Sequence, residues 1–371
     1  MRITSVEVKR QLHQLKVPFR TALRTVTATE AVTVRLDTDE GIIGWGEAVP
    51  TLEITGESTD SIEWAIKAVL APAIIGLDLL DYEQVFHRIH QVMVGNTSAK
   101  AAVDMACYDC LSQFAGLPLY RYLGGVRTQL ETDYTVGIAT LEEMAAQAAQ
   151  LANREFRILK IKAGKGEIND DLTKIKAVHQ AAGAGVLLRI DANQGWNVKE
   201  AIRAIHMLED WGIPIEFVEQ PVKAHDLEGL KAITDAVSTP IMADESLFSP
   251  QDALQLLKLR AVDLFNIKLM KSGGIRHALQ IYELAASAGV ECMVGSMIES
   301  RLSVTAAAHF AASKPGITRV DFDAPLMLSN DPTVGGICYE GRMIQLPTKP
   351  GLGAAHPRYI GVQVYAKGDG R

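Results

Sequence analysis

The chain opens on alternating polar and apolar positions. ITSVEVKRQL (3–12) and AVTVRLDT (31–38) put apolar side chains on one face, the period of a half-buried strand. IIGWGEAV (42–49) follows Asp-Glu-Gly, which reads as a hairpin turn. From about 58 to 115 the period lengthens. SIEWAIKAVLAPAII, DYEQVFHRIHQVM and SAKAAVDMACYDCLSQFAG carry apolar residues three and four apart, as helices do. A run of strands followed by a run of helices predicts a small α+β unit.

After LGG at 123–125 the texture changes. Short apolar runs now alternate with helical stretches. TDYTVGI, RILKIK, VLLRID, IEFVE, PIMAD, LFNIK, ECMVGSM and TRVDFDAP form a series of eight. The strands are expected to end near Thr135, Lys162, Asp191, Glu219, Asp244, Lys268, Ser296 and Asp323. Eight such repeats predict an α/β architecture with a closed parallel barrel. The stretch after the eighth run, APLMLSNDPTVGG, is rich in Pro and Gly and predicts no eighth helix. The expected boundaries are an N-terminal capping domain at 1–125, a barrel at 126–325, and a segment at 326–371 that returns to the cap.

Composition narrows the partners. Apolar residues make up 48% of 371 positions, enough for a large core, and the net charge is −7 without a basic run. Nucleic acid and anionic membranes are therefore not expected partners. The first residues lack the apolar core of a signal peptide, and no apolar run approaches about 18 residues. A soluble, cytoplasmic protein is expected. Cys107 and Cys110 form a C-x-x-C within a helical pattern, where two small packed residues are a better reading than a metal or redox pair.

The chemistry lies in a ladder of charges. Lys162, Asp191, Glu219, Asp244 and Lys268 end consecutive runs, at steps of 29, 28, 25 and 24 residues. Charges at the ends of buried strands need partners. Taken singly, each carboxylate could cap a helix. Three from neighbouring strands instead make an all-oxygen set suited to a hard cation, with Mg²⁺ expected. Asn193 and Glu245 are candidates to support it. Lys160 and Lys162 alternate with Ile161 and face the same way, a crowding that would lower the pKa of one of them. Lys268 lies on the sixth strand, diametrically opposite the second. A substrate between them would have one lysine on each face. Removing a proton next to a carboxylate creates a doubly negative enediolate, which needs a divalent cation. Redelivery from the other face inverts the carbon. A lyase or cycloisomerase would need only one of the lysines.

These motifs carry a family resemblance. K-x-K at 160, D-A-N at 191, V-E-Q-P at 218, A-D-E-S at 243 and N-I-K at 266 resemble the enolase superfamily, and its muconate-lactonizing subgroup in particular. That superfamily's lysine base and Mg²⁺ scheme is itself a standard illustration of pKa tuning. The resemblance covers essentially the whole chain. It implies a (β/α)₇β modified TIM barrel with an N-terminal α+β capping domain, which fits the missing eighth helix. It implies one Mg²⁺ on Asp191, Glu219 and Asp244, with Lys162 and Lys268 as the acid/base pair. Lys160 would stabilise the substrate carboxylate. Subgroup members are often homo-oligomers, which sets the expected assembly.

Two features choose among the subgroup's reactions. Asp321 and Asp323 put two negative charges at the barrel mouth, which would repel an anionic substrate and attract a free ammonium. In this family, cap loops, here near 15–30 and 50–58, set side-chain specificity, and Arg24 or Arg20 could meet an anionic side chain. With TALRT, TLEITGES, CMVGSMIES and DFDAPLM, the chain resembles the dipeptide epimerases. The resemblance implies an Ala-Glu dipeptide inverted at the Glu α-carbon, in recycling of cell-wall peptides. Its terminal carboxylate would meet Mg²⁺ and Lys160. Its ammonium would meet Asp321 and Asp323, its side chain Arg24, and Thr135, Ser296 and Met297 would line the pocket. Alternatives are an epimerase of other dipeptides, an N-acylamino acid racemase, and a cycloisomerase or lyase.

Overall fold

The computed structural model describes residues 1–356. The part of the expected C-terminal segment beyond residue 356 lies outside the described residues. Three antiparallel strands, Ile3–Arg20, Thr25–Thr38 and Ile43–Ala48, form the cap's sheet. The helix Thr97–Phe114 lies across it. Contact is close because Gly44 and Gly46 have no side chain. A Cβ on Gly44 would sit 2.1 Å from Ala106 O, and one on Gly46 1.9 Å from Ala102 O. Cys107 and Cys110 are free and buried on this helix.

Among the described residues, eight parallel strands follow in spatial order: Tyr134–Val136, Ile158–Lys162, Leu187–Asp191, Ile215–Glu219, Ile241–Ala243, Leu264–Ile267, Glu291–Gly295 and Ile317–Asp321. A parallel bridge from Thr132 to Val320 joins the first strand's edge to the last and closes the ring. Seven strands are followed by a helix, such as Leu141–Asn153 after the first and Arg301–Ser313 after the seventh. Capping boxes start several of them, with Thr140 and Glu143, or Asn197 and Glu200, exchanging side-chain and backbone bonds. After the eighth strand there is one helical turn, Ala324–Met327, begun by a proline near its start. The barrel is therefore (β/α)₇β. Strands end within two residues of the expected positions, so Asp244, Lys268, Ser296 and Asp323 lie just beyond their strands.

The segment after residue 327 touches both units. Ser329 N–H donates to Gln14 O, and Leu352 N–H to Asp109 Oδ1. Met343–Gln345 pairs with Gln129–Glu131 on one side and Cys338–Glu340 on the other.

Inside the barrel, strand pleating stacks side chains in layers. Phe217, Met242, Leu264 and Met293 form an apolar plug. Arg189, beside Phe217, is neutralised by Asp133 and Glu216, each at 2.7 Å. Above them, one step further along the same strands, stand the carboxylates and lysines.

Candidate active site

Two residues along each strand from the interior layer, the side chains reach the mouth of the barrel. Asp191 follows Arg189, Glu219 follows Phe217, Asp244 follows Met242, and Lys268 follows Asn266. Asp191, Glu219 and Asp244 are fully buried, and their ligand atoms lie within 4.8 Å of one another. Three carboxylates in so small a space repel one another unless cations intervene. Four lysines do so here. Lys160 Nζ stands 3.1 Å from Asp191 Oδ2, 2.8 Å from Glu219 Oε2 and 2.7 Å from Asp321 Oδ2. Lys162 Nζ is 2.6 Å from Asp191 Oδ2, and Lys268 Nζ is 2.8 Å from Asp244 Oδ2. Lys271 Nζ donates to Asp244 Oδ1 at 2.5 Å.

The donor set fits a hard divalent cation on this structure's own terms. It is all oxygen and carries three formal negative charges. Around it, Glu219 Oε2, Asn193 Oδ1, Asn266 Oδ1 and Glu245 Oε2 are buried without a hydrogen bond, although Lys160 is near the first. Neighbours hold the carboxylates in place. Asn193 N–H donates to Asp191 Oδ1 at 2.9 Å, Asn266 Nδ2 to Glu219 Oε1 at 2.7 Å, and Asp244 N–H to Gln220 Oε1 at 3.0 Å.

Burial and charge divide the titrations. Burial, with help from Asp191, pushes Glu219 up to about 7. Burial would raise Asp244 as well, but Lys268 and Lys271 hold it far below the usual carboxylate range. Lys160 is held as a cation. Burial works against its charge, yet Asp321, Glu219, Asp191 and Asp133 outweigh burial, and its pKa is raised.

One cavity lies between the barrel mouth and the cap. Lys160, Lys162, Lys268, Thr135, Ser296, Met297, Asp321, Asp323 and Arg24 all line it. Asp321 is pulled down to about 2 by Lys160 against its burial, while burial and Asp321 push Asp323 up to about 7. Asp323 also accepts from Thr135 N–H at 2.6 Å. Arg319 points elsewhere and pairs with Glu216 and Glu291, so it neutralises neither aspartate. Arg24 reaches the cavity from the loop after the first cap strand and meets Glu53 at 3.2 Å. Arg20 is exposed and does not line the cavity.

Sequence reasoning missed several residues. Lys271 ends no apolar run and so carries no signal of its own, yet it is buried and donates to Asp244 O and Asp244 Oδ1. Gln220 supports Asp244 and Ser246 from a left-handed backbone, with φ +37°. Glu53 and Ile54 come from a cap loop with no periodicity to follow, and Phe19 from the far end of the first cap strand.

Residues 143–358 match the enolase C-terminal domain-like family, and residues 3–124 match the mandelate racemase / muconate lactonizing enzyme N-terminal domain. The chain belongs to this branch of the enolase superfamily. It is 56% identical to the L-Ala-D/L-Glu epimerase of Bacillus subtilis strain 168, covering 95% of this chain and 96% of that protein. A substrate-liganded structure of the Bacillus subtilis L-Ala-D/L-Glu epimerase superposes with a TM-score of 0.95 at 55% identity, over 98% of this chain and all of that one. A dipeptide epimerase of Enterococcus faecalis V583, complexed with Mg and L-Leu-L-Tyr, gives 0.93 at 44% identity, over 96% and 100%.

Proposed function

We propose that this protein is a Mg²⁺-dependent dipeptide epimerase that interconverts L-Ala-D-Glu and L-Ala-L-Glu. The observation that carries this reading is the placement of Lys162 and Lys268. They come from opposed strands of an eight-stranded ring, line one cavity, and flank the Asp191–Glu219–Asp244 cluster. The similarity to the Bacillus subtilis L-Ala-D/L-Glu epimerase supports the substrate, and the Mg-bound Enterococcus faecalis relative supports the metal.

Asp191, Glu219 and Asp244 would hold the Mg²⁺, which supplies positive charge to the substrate carboxylate as its α-proton leaves. Lys160 adds a second cation beside that carboxylate. One of Lys162 and Lys268 takes the α-proton while the other delivers a proton to the opposite face. Their roles exchange in the reverse direction. Asp321 and Asp323 receive the ammonium of the N-terminal residue, which disfavours an uncharged acylated nitrogen. Arg24 offers its remaining N–H groups to the Glu side chain. Thr135, Ser296 and Met297 complete the walls.

A second reading, a neutral dipeptide substrate, draws on the apolar wall of Phe19, Leu23, Ile54, Ile298 and Met327. The wider setting, a cytoplasmic homo-oligomer acting on cell-wall peptides, extends the proposal and rests on the motif resemblance. Among the described residues no helix is long and apolar enough to cross a membrane.

The test is incubation with L-Ala-D-Glu and Mg²⁺ in D₂O. Deuterium enters the Glu α-carbon as the second epimer forms, chelation stops it, and added Mg²⁺ restores it. Absence of deuterium with this dipeptide, but incorporation into neutral ones, would move the assignment to the second reading.

A further inference from the structure

Arg24 does not face the cavity alone. Its Nη1 donates to Glu53 Oε2 at 3.2 Å, a single contact on a group that has five N–H donors. Both residues line the inner cavity that holds Lys160, Lys162 and Lys268. Both also line an outer groove with Arg10, Glu30 and Asp60. The pair is the partition between the two spaces. It is half open to solvent, with side-chain exposures of 26% and 38%.

The positions of the two partners are set separately. Glu53 sits in a tight turn in which Ile54, Thr55 and Gly56 all donate to Thr51 O. Thr51 is buried, and Glu57 closes the same loop by accepting from Ser98 and Ala99 N–H. Arg24 sits in its own turn, in which Thr21 Oγ1 accepts from Leu23 and Arg24 N–H. The two loops place a negative charge beside Arg24, the one cation among the described residues that lines the side-chain end of the cavity. That end is close to neutral overall rather than a cationic well.

We propose that Glu53 is a specificity-determining residue that tempers Arg24, lowering the enzyme's preference for an acidic over a neutral side chain. The inference rests on the dipeptide reading of the site and deepens it. One N–H of the guanidinium stays with Glu53, and the others remain for a substrate carboxylate. A carboxylate bound there gains from Arg24 and loses to Glu53. A neutral amide of the same shape can hydrogen-bond to both groups but carries no net charge, so it feels the opposed charges of Arg24 and Glu53 far less. Glu53 therefore works on the difference between the two ligands and leaves the proton-transfer groups alone.

The probes are L-Ala-L-Glu and L-Ala-L-Gln, which differ only in that charge. Glu53→Gln is expected to raise the Glu-to-Gln ratio of kcat/KM by about fivefold, the weight of one partly screened charge at contact distance. The gain appears as a lower KM for L-Ala-L-Glu and shrinks as salt is added. An unchanged or reduced ratio overturns the proposal. An equal loss on both dipeptides would make Glu53 a loop anchor only, and also overturns it. Arg24→Met in the parent separates the underlying reading. If that change leaves the ratio as it was, the contact between Arg24 and the substrate is wrong, and if neither dipeptide is turned over by the parent, the epimerase assignment itself falls.

Discussion

The two ends of the cavity are built differently. At the barrel end, every charged group stands at or just past a strand end and is almost wholly removed from solvent. Lys160 is 1% exposed, and Asp191, Glu219 and Asp244 are 0%. Pleat and strand spacing fix their separations, and the neighbouring carboxylates and lysines leave little room to move. At the cap end, Arg24 and Glu53 stand on loops, keep contact with water, and share one long hydrogen bond. Chemistry that inverts a carbon requires groups held at set positions on two faces. Choice among side chains requires only a modest bias, and loops can change it without disturbing the core. On the proposed function, reaction and selectivity are carried by separate parts of the fold.

The sharpest way to break this division is at the barrel end. Lys162→Ala and Lys268→Ala are each expected to reduce epimerisation by about a thousandfold or more. In D₂O each variant should still exchange the α-proton of one epimer, since the remaining lysine serves one face. NMR of both epimers checks this. Equal, complete exchange in one variant would return that lysine to a supporting role and favour one-base chemistry.

Arg24→Met probes the cap end, with a smaller effect. KM for L-Ala-D-Glu is expected to rise about tenfold to a hundredfold, the weight of a charge-assisted hydrogen bond. Turnover at saturation should change little, as should KM for L-Ala-L-Ala. Steady-state kinetics on the two dipeptides decides whether selectivity is separable from reaction.

The joint between the two ends offers the smallest effect. Glu47, on the third cap strand, accepts from Ser300 N–H and Ser300 Oγ, just beyond the loop that carries Ser296 and Met297. Burial pushes it from an ordinary 4.5 up to about 8. The folded protein thus holds a proton that the unfolded chain gives up. The stability from this group is fully present below about 4.5 and is lost as pH rises through about 8. Glu47→Gln lacks that titration. The melting temperature of the parent, relative to the variant, should fall between acidic and mildly alkaline pH by about 1–3 °C. A difference that stays constant with pH would show that Glu47 is ionised throughout.

The legibility of the site followed the same division. Lys160 could be found from sequence because it alternates with Lys162. Lys162, Asp191, Glu219, Asp244 and Lys268 could be found because each ends an apolar run, and the runs recur at the length of one βα unit. Asp321 and Asp323 could be found for the same reason. Their partners were less visible. That Lys160 would be stabilised as a cation depended on Asp321 and Asp133, which are far from it in sequence and adjacent only once the ring closes. Lys271 ends no apolar run, and only the turn after the sixth strand brings it, buried, against Asp244.

By itself, the sequence determined the repeat, the inward alternation along each strand and the oxygen donors, because these depend on local periodicity and residue chemistry. The tertiary structure alone decided which loop side chains face the barrel mouth. It set Arg24 in the cavity, left Arg20 outside, and brought Glu53 against Arg24. Loops have no period, and the charge that a side chain meets across a domain boundary exists only after two distant segments have packed together.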